Sequence, residues 1–218
     1  MPLSDPQRQV ILCNKRFRIL FAGRRFGKTF VAIQELAKFA RFPNQKVWYI
    51  SPSYRQSKNI CWTMLKEQMI NHRWVKKINE ADLSIILKNN SIIQLKGADN
   101  EQSLRGVGLN FICIDEFQDI KPQAWFEVIR PTLSDTLGHA LFTGTPKGYN
   151  WGYDLYTKKN KEWQSFKFTT LDGGQVSKEE IEQAKDDLDE RTFQQEYLAT
   201  FVNYSGVIYY NFDRNLHI

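Results

Sequence analysis

The chain has 218 residues, with 30 Lys and Arg against 24 Asp and Glu and a formal net charge of +6. At that length folding hides roughly 70% of the surface an unfolded chain exposes, and 42% hydrophobic residues with six Trp supply a core, which excludes general disorder. No apolar run approaches the roughly 20 residues of a membrane helix, and MPLSDPQRQ lacks a basic stretch ahead of an apolar one, so a soluble intracellular protein is expected.

Ser4 caps a predicted short helix reaching Asn14, and the apolar run 17-FRILFAG-23 predicts a strand closing on a glycine. Phe30, Ile33, Leu36, Ala37 and Ala40 recur at helical spacing in 28-KTFVAIQELAKFARF-42, and Pro43 stops that helix. A buried strand, 46-KVWYISPS-53, leads into a helix from Tyr54 to Met69. In 83-LSIILKNNSIIQLKG-97 two β-branched runs flank Asn89 and Asn90, which tolerate the positive φ of a tight turn, and predict a hairpin. The run 109-LNFICIDE-116 predicts a strand ending in two acids, and 122-PQAWFEVIRPTL-133 a helix terminated by Pro131. Strands are expected again over 139-HALFTGTP-146 and 163-WQSFKFTTL-171. Two helices follow, one opened by the capping box of Ser177 and Glu180, the other by Asp189. The acid-rich stretch 177–190 reads as a solvated helix face rather than a metal site.

Strands alternating with helices imply an α/β fold with a mainly parallel sheet covered on both faces. Ligands of such sheets sit at the carboxyl ends of the strands. Three strands here end in chemically loaded sequence: AGRRFGKT, DEFQ and TGTP. Charge points the same way. Nine basic residues (Arg8, Lys15, Arg16, Arg18, Arg24, Arg25, Lys28, Lys38, Arg41) and two acids precede residue 42, and the remainder is about neutral. Clustered Lys and Arg concentrate phosphates, so a nucleotide or a nucleic acid is the partner implied. Cys13, Cys61 and Cys113 are scattered, and the three His stand at no ligand spacing from them, so neither a disulfide framework nor a zinc site is expected.

The string 22-AGRRFGKT-29 fits the phosphate-loop pattern G-x-x-x-x-G-K-[ST], except that Ala22 replaces the first glycine. Gly23, Arg25, Phe26 and Gly27 supply the cradle, Lys28 the cation for the β- and γ-phosphates, and Thr29 a hydroxyl for Mg²⁺ at a helix start. In 111-FICIDEF-117 four apolar residues run into adjacent carboxylates, the Walker B arrangement. Asp115 is expected on Mg²⁺, and Glu116 as the base for an attacking water. No guanine-reading N-K-x-D string occurs, which favours ATP over GTP. Gln7 offers an amide to the adenine edge. If the strand carrying TGTP lies beside the Walker B strand, as in related ATPases, Thr143 and Thr145 are expected to touch the γ-phosphate environment and to couple its loss to motion. Arg24, within the loop, and Arg105, in 103-SLRGVG-108, are candidates to stabilise charge on the transferring phosphoryl.

PQRQV, AGRRFGKT, SPSYRQSK, SLRG, ICIDEFQ, TGTPKG and the closing FQQEYLATFVNYSGVIYYNFDR together resemble, in order and over nearly the whole chain, the N-terminal ATPase domain of the large terminase subunit of tailed bacteriophages. The resemblance implies a P-loop NTPase of the RecA-like type: a core over 1–165, a lid or linker subdomain over 166–205, and over 206–218 the start of a linker to a nuclease domain. It implies ATP hydrolysis that drives double-stranded DNA through a portal protein into an empty procapsid. It further implies a small terminase subunit as partner, a ring, expected to be a pentamer, with Arg105 reaching a neighbour's site, and a place in the host cytoplasm docked on the procapsid, with no membrane contact. The nuclease would begin where the chain stops at Ile218, so no cleavage is expected, and Asp213 reads as a linker residue. Two rival readings share these motifs. One is a helicase-like translocase with a single core, and the other a nucleotide-gated nucleic-acid-binding module without turnover.

Overall fold

In the computed structural model, which describes residues 2–203, the first helix α1 (Asp5–Leu12) opens on the expected cap. The Gln7 N–H donates to Ser4 Oγ, and the Ser4 N–H donates back to Gln7 Oε1. Strand β1 (Phe17–Ala22) is buried along its full length, and the turn after it leads into α2 (Lys28–Ala40). Next come β2 (Lys46–Ser51) and α3 (Tyr54–Ser57), which passes through a π-helical turn (Lys58–Trp62) into α4 (Thr63–Asn71). Strand β3 (Val75–Asn79) precedes the expected hairpin of β4 (Ser84–Leu87) and β5 (Ile92–Gly97). Asn90 carries its positive φ of 65°. β3 has no counterpart in the sequence reading, because a short run with Lys76 and Lys77 exposed has too little apolar alternation to declare itself.

After β6 (Phe111–Asp115), residues Ala124–Ile129 form a π-helical turn that continues into α5 (Arg130–Thr132). Pro131 therefore lies inside the helical segment instead of ending it. Its missing N–H removes one i→i−4 bond, and a π turn just upstream is one way a helix absorbs such a loss. Strand β7 (His139–Gly144), α6 (Trp151–Thr157), β8 (Trp163–Phe168), α7 (Lys178–Asp187) and α8 (Glu190–Glu196) complete the described chain. Ser177 and Asp189 cap the last two helices as expected, and α7 exposes most of its acids.

The eight strands form one sheet in the order β3-β4-β5-β2-β6-β7-β1-β8. Along that order every pairing from β5 through β8 is parallel, and β4 runs antiparallel to both of its neighbours. β8 carries the sheet on to Phe168, three residues past the expected edge of the core. Two apolar clusters fill the two faces. Leu20, Val47 and Tyr49 pack with α2 and α4 on one side; Phe21, Trp48, Ile114 and Phe142 pack with Trp125 and Ile129 on the other. Among the described residues no helix is long and apolar enough to cross a membrane.

Candidate functional site

Parallel pairing puts the ends of β1, β7 and β6 side by side at one edge. Leu20 pairs with Thr143 and Thr143 with Asp115, so Thr143, with Thr145 just past the end of β7, stands between the loop after β1 and the acids after β6. The loop bends through left-handed conformations at Arg25 (φ 61°) and Gly27 (φ 93°). A Cβ on Gly27 would come 2.7 Å from Gln7 Nε2, and one on Gly23 would come 2.5 Å from Thr170 Oγ1 and 2.6 Å from the Tyr197 carbonyl. Ala22, the departure from the loop pattern, ends β1 as an ordinary strand residue with its methyl in the core, where no glycine is needed.

The loop is braced from outside. Gln7 Nε2 donates to the Phe26 carbonyl (2.7 Å), and Gln7 is 1% exposed, so this amide is neither solvated nor free at both ends. It keeps one donor hydrogen for a further ligand. Phe26 stacks its ring on Phe168 and serves the loop through its backbone. The Gly23 N–H donates to the Phe168 carbonyl (3.1 Å) and the Arg24 N–H to the Glu196 carbonyl (2.7 Å), while Thr170 Oγ1 donates to the Arg24 carbonyl (2.8 Å). The Arg24 guanidinium pairs with the Glu196 carboxylate at 2.5 Å and so points at α8. Arg25 is exposed at the loop surface.

Lys28 Nζ spends its three hydrogens on the carbonyls of Ala22 (2.9 Å) and Gly23 (3.2 Å) and on Thr145 Oγ1 (3.0 Å). Burial lowers its ammonium below the usual lysine range, against the opposing pull of Glu116 and Asp115. Asp115, 4% exposed, accepts from the Tyr49 hydroxyl on one oxygen (2.5 Å) and from the Thr143 hydroxyl on the other (2.6 Å). Glu116 adopts the left-handed conformation (φ 46°, ψ 42°), a strained setting for a residue with a Cβ and one that clusters at functional sites. Burial, reinforced by the neighbouring Asp115, raises its carboxyl above the usual range. Gln118 Nε2 donates to it at 3.2 Å, and Lys147 Nζ, which pairs with Asp119, lies 4.0 Å away.

Sequence reading missed Tyr49 and Gln118. Tyr49 is 66 residues from Asp115 in the chain, and only the pairing of β2 with β6 brings them together. Gln118 stands in the quoted DEFQ string, where one intervening residue, Phe117, separates it from the Glu116 carboxylate it contacts. Arg105 follows the 3₁₀ turn Glu101–Leu104, is exposed, and makes no side-chain hydrogen bond or ion pair among the described residues. Thr29 lies in the first turn of α2. The donor set offered to a cation, a buried carboxylate with a lone pair left on each oxygen and a threonine hydroxyl, is all hard oxygen and fits Mg²⁺ held jointly with phosphate oxygens. The expectations for 204–218, including Asp213, lie outside the described residues.

Residues 19–216 match the family described as terminase large subunit, T4likevirus-type, N-terminal. The chain belongs to that family. Across 223 aligned residues it is 30% identical to the large terminase subunit of Escherichia phage T5, covering 99% of this chain and 49% of that protein. It is 26% identical to the corresponding subunit of Thermus phage G20c, over 90% of this chain and 48% of that one. The chain thus spans about half the length of these relatives. Among solved structures, the large terminase ATPase domain of Thermus phage P74-26 superposes with a TM-score of 0.80 at 25% identity, covering 93% and 94% of the two chains. The large terminase of another thermophilic bacteriophage, solved with ADP, has the same fold, with a TM-score of 0.80 at 22% identity over 98% of this chain and 57% of the other. These solved terminases therefore share the fold of this mainly parallel α/β sheet.

Proposed function

We propose that this terminase region hydrolyses ATP with Mg²⁺ and that the hydrolysis powers entry of double-stranded DNA into a procapsid. The observation that carries the reading is the arrangement of Lys28, Thr143, Thr145, Asp115 and Glu116 at three adjacent strand ends, with Asp115 bonded to Thr143 in β7 and Lys28 to Thr145 just past its end. A phosphate entering the loop displaces at least one of Thr145 and the two carbonyls as a partner of Lys28. Thr29 and Asp115 would hold Mg²⁺, which when bound neutralises charge on the β- and γ-phosphates. Glu116, short of a full cation partner and biased by burial toward holding a proton, takes one from the attacking water. The remaining Gln7 hydrogen faces the base, and Thr143 and Thr145 report loss of the γ-phosphate to β7.

Arg105, exposed and uncommitted, suits an arginine supplied to a neighbouring subunit, as a ring of these domains requires. Arg24 completes its own loop only after parting from Glu196. Double-stranded DNA, the portal protein, the small terminase subunit and a pentameric ring on the procapsid in the host cytoplasm are the partners and the place this reading assigns. Phosphate release measured across a wide range of protein concentration tests it, with Glu116→Gln as blank and Arg105→Ala in parallel. Specific activity is expected to rise with concentration and to vanish in both variants. Activity independent of concentration and of Arg105 leaves an ATPase without the shared site. Tight ATP binding with no release above the blank supports the gated binding module instead.

A further inference from the structure

The 3₁₀ turn Phe117–Asp119 folds directly after Glu116 and buries Gln118 to 7% exposure. Its amide nitrogen has two hydrogens, and both are used. One goes to the Thr145 carbonyl at 2.6 Å and the other to Glu116 Oε2 at 3.2 Å. The amide oxygen is buried and has no hydrogen-bond partner among the described residues. It lies against Gly144, where an added Cβ would come within 2.2 Å of it. Turning the amide over would aim that oxygen at a carbonyl and a carboxylate, two acceptors, so the observed orientation is the one the surroundings allow. Leaving a buried acceptor without a partner is unfavourable, which marks the two donated bonds as the reason for the arrangement. Gly144 is the residue that gives the amide room.

Thr145 is shared. Its hydroxyl accepts from Lys28 while its carbonyl accepts from Gln118. A continuous chain of contacts therefore runs from the Lys28 ammonium through Thr145 and Gln118 to the Glu116 carboxylate. The Lys28 hydrogens are fully taken inside the protein, so a bound phosphate has to displace at least one of these partners.

We propose that Gln118 is a positioning residue for Glu116, tying the carboxylate to the Thr145 main chain so that capture of a phosphate by Lys28 is transmitted to the residue that handles the attacking water. The inference rests on the assignment of Lys28 and Glu116 given above. It adds a residue that touches neither phosphate nor water and acts through another.

The test uses the 218-residue chain with three variants, Gln118→Met, Gln118→Leu and Glu116→Gln. Gln118→Met keeps the length of the side chain and removes both donors without adding charge, and it carries the test should Gln118→Leu fail to fold. Both Gln118 variants are expected to lower kcat about 10- to 100-fold, the cost of a misplaced catalytic group, with KM and the Kd for ATPγS and Mg²⁺ within about twofold of the parent. Hydrogen exchange read by mass spectrometry supplies the readout that does not depend on turnover. In the parent, ATPγS with Mg²⁺ should change exchange both at 143–147 and at 116–120. In the Gln118 variants the change at 143–147 should remain and the change at 116–120 should be lost. Equal loss of affinity and kcat would overturn the proposal in favour of a packing role. Unchanged kcat in the Gln118 variants, with Glu116→Gln inactive, would overturn it while leaving the base assignment standing. Full turnover by Glu116→Gln would remove that assignment and this inference with it.

Discussion

Arg18 and Glu35 are as deeply buried as Asp115, yet the two charged clusters served by β1 and α2 are built differently. Near the start of β1, Arg18 (1% exposed) pairs directly with Glu35 (0%), which also takes Lys38 at 3.1 Å, and a second Arg18 nitrogen donates to the Val10 carbonyl. Opposite charges meet and the cluster is closed. At the other end of β1, Lys28 bonds carbonyls and a hydroxyl, Asp115 bonds two hydroxyls, and no ion pair joins them. Charges held in place by neutral partners remain available to a charged ligand, whereas charges already neutralised hold α1, α2 and β1 together. The comparison also reinterprets the basic excess of the first 41 residues. Arg18 and Lys38 are spent inside the protein, Arg24 on Glu196, and Lys28 alone of these four faces the site.

The contrast can be broken by experiment. Glu116→Gln is expected to have the largest effect, lowering turnover about 10²- to 10⁴-fold with nucleotide binding retained, as read by phosphate release beside equilibrium binding. Normal turnover would make the open cluster as inert as the closed one. Arg18→Met leaves Glu35 with Lys38 alone and should cost about 3–5 kcal/mol of stability, measured by urea unfolding. Arg18→Met combined with Glu35→Leu should recover much of that loss, and an additive double loss would refute the pairing as its origin. Tyr49→Phe deletes a hydroxyl on the open cluster and should weaken the apparent Mg²⁺ affinity about tenfold, at the low end for a residue that orients a metal ligand, with the fold intact by circular dichroism.

The smallest expected effect concerns pH. Burial, then the charges of Arg18 and Arg16, hold the His139 imidazole below its ordinary value of 6.5. The unfolded chain therefore binds the proton first as pH falls, and the contribution to stability, complete above that value, is lost on acidification below it. Urea midpoints at pH 7.5 and 5.5 should differ less in His139→Gln than in the parent.

Much of this was legible in the sequence, because the relevant information is local. Hydrophobic runs of strand length, the helical spacing of α2 and the caps at Ser4, Ser177 and Asp189 depend on residues within a few positions of one another, and so does the steric logic of the phosphate loop. The edge strand β3 and the π turn before Pro131 escaped, since short polar runs and the rerouting of one lost hydrogen bond leave little periodic signal. The loop's supports were also invisible: Gln7, Thr170 and Glu196 reach it from up to 172 residues away.

Residue identity along the chain was enough to single out the candidate phosphate loop, the two adjacent acids, Thr143 and Thr145, because each motif lies within a few consecutive residues. Strand order decided the rest. Insertion of β7 between β1 and β6 put Thr145 within reach of Lys28, and pairing of β2 with β6 put the Tyr49 hydroxyl on Asp115. Contacts of this kind join residues far apart in sequence. They arise only when a sheet closes its registers, so no local pattern contains them.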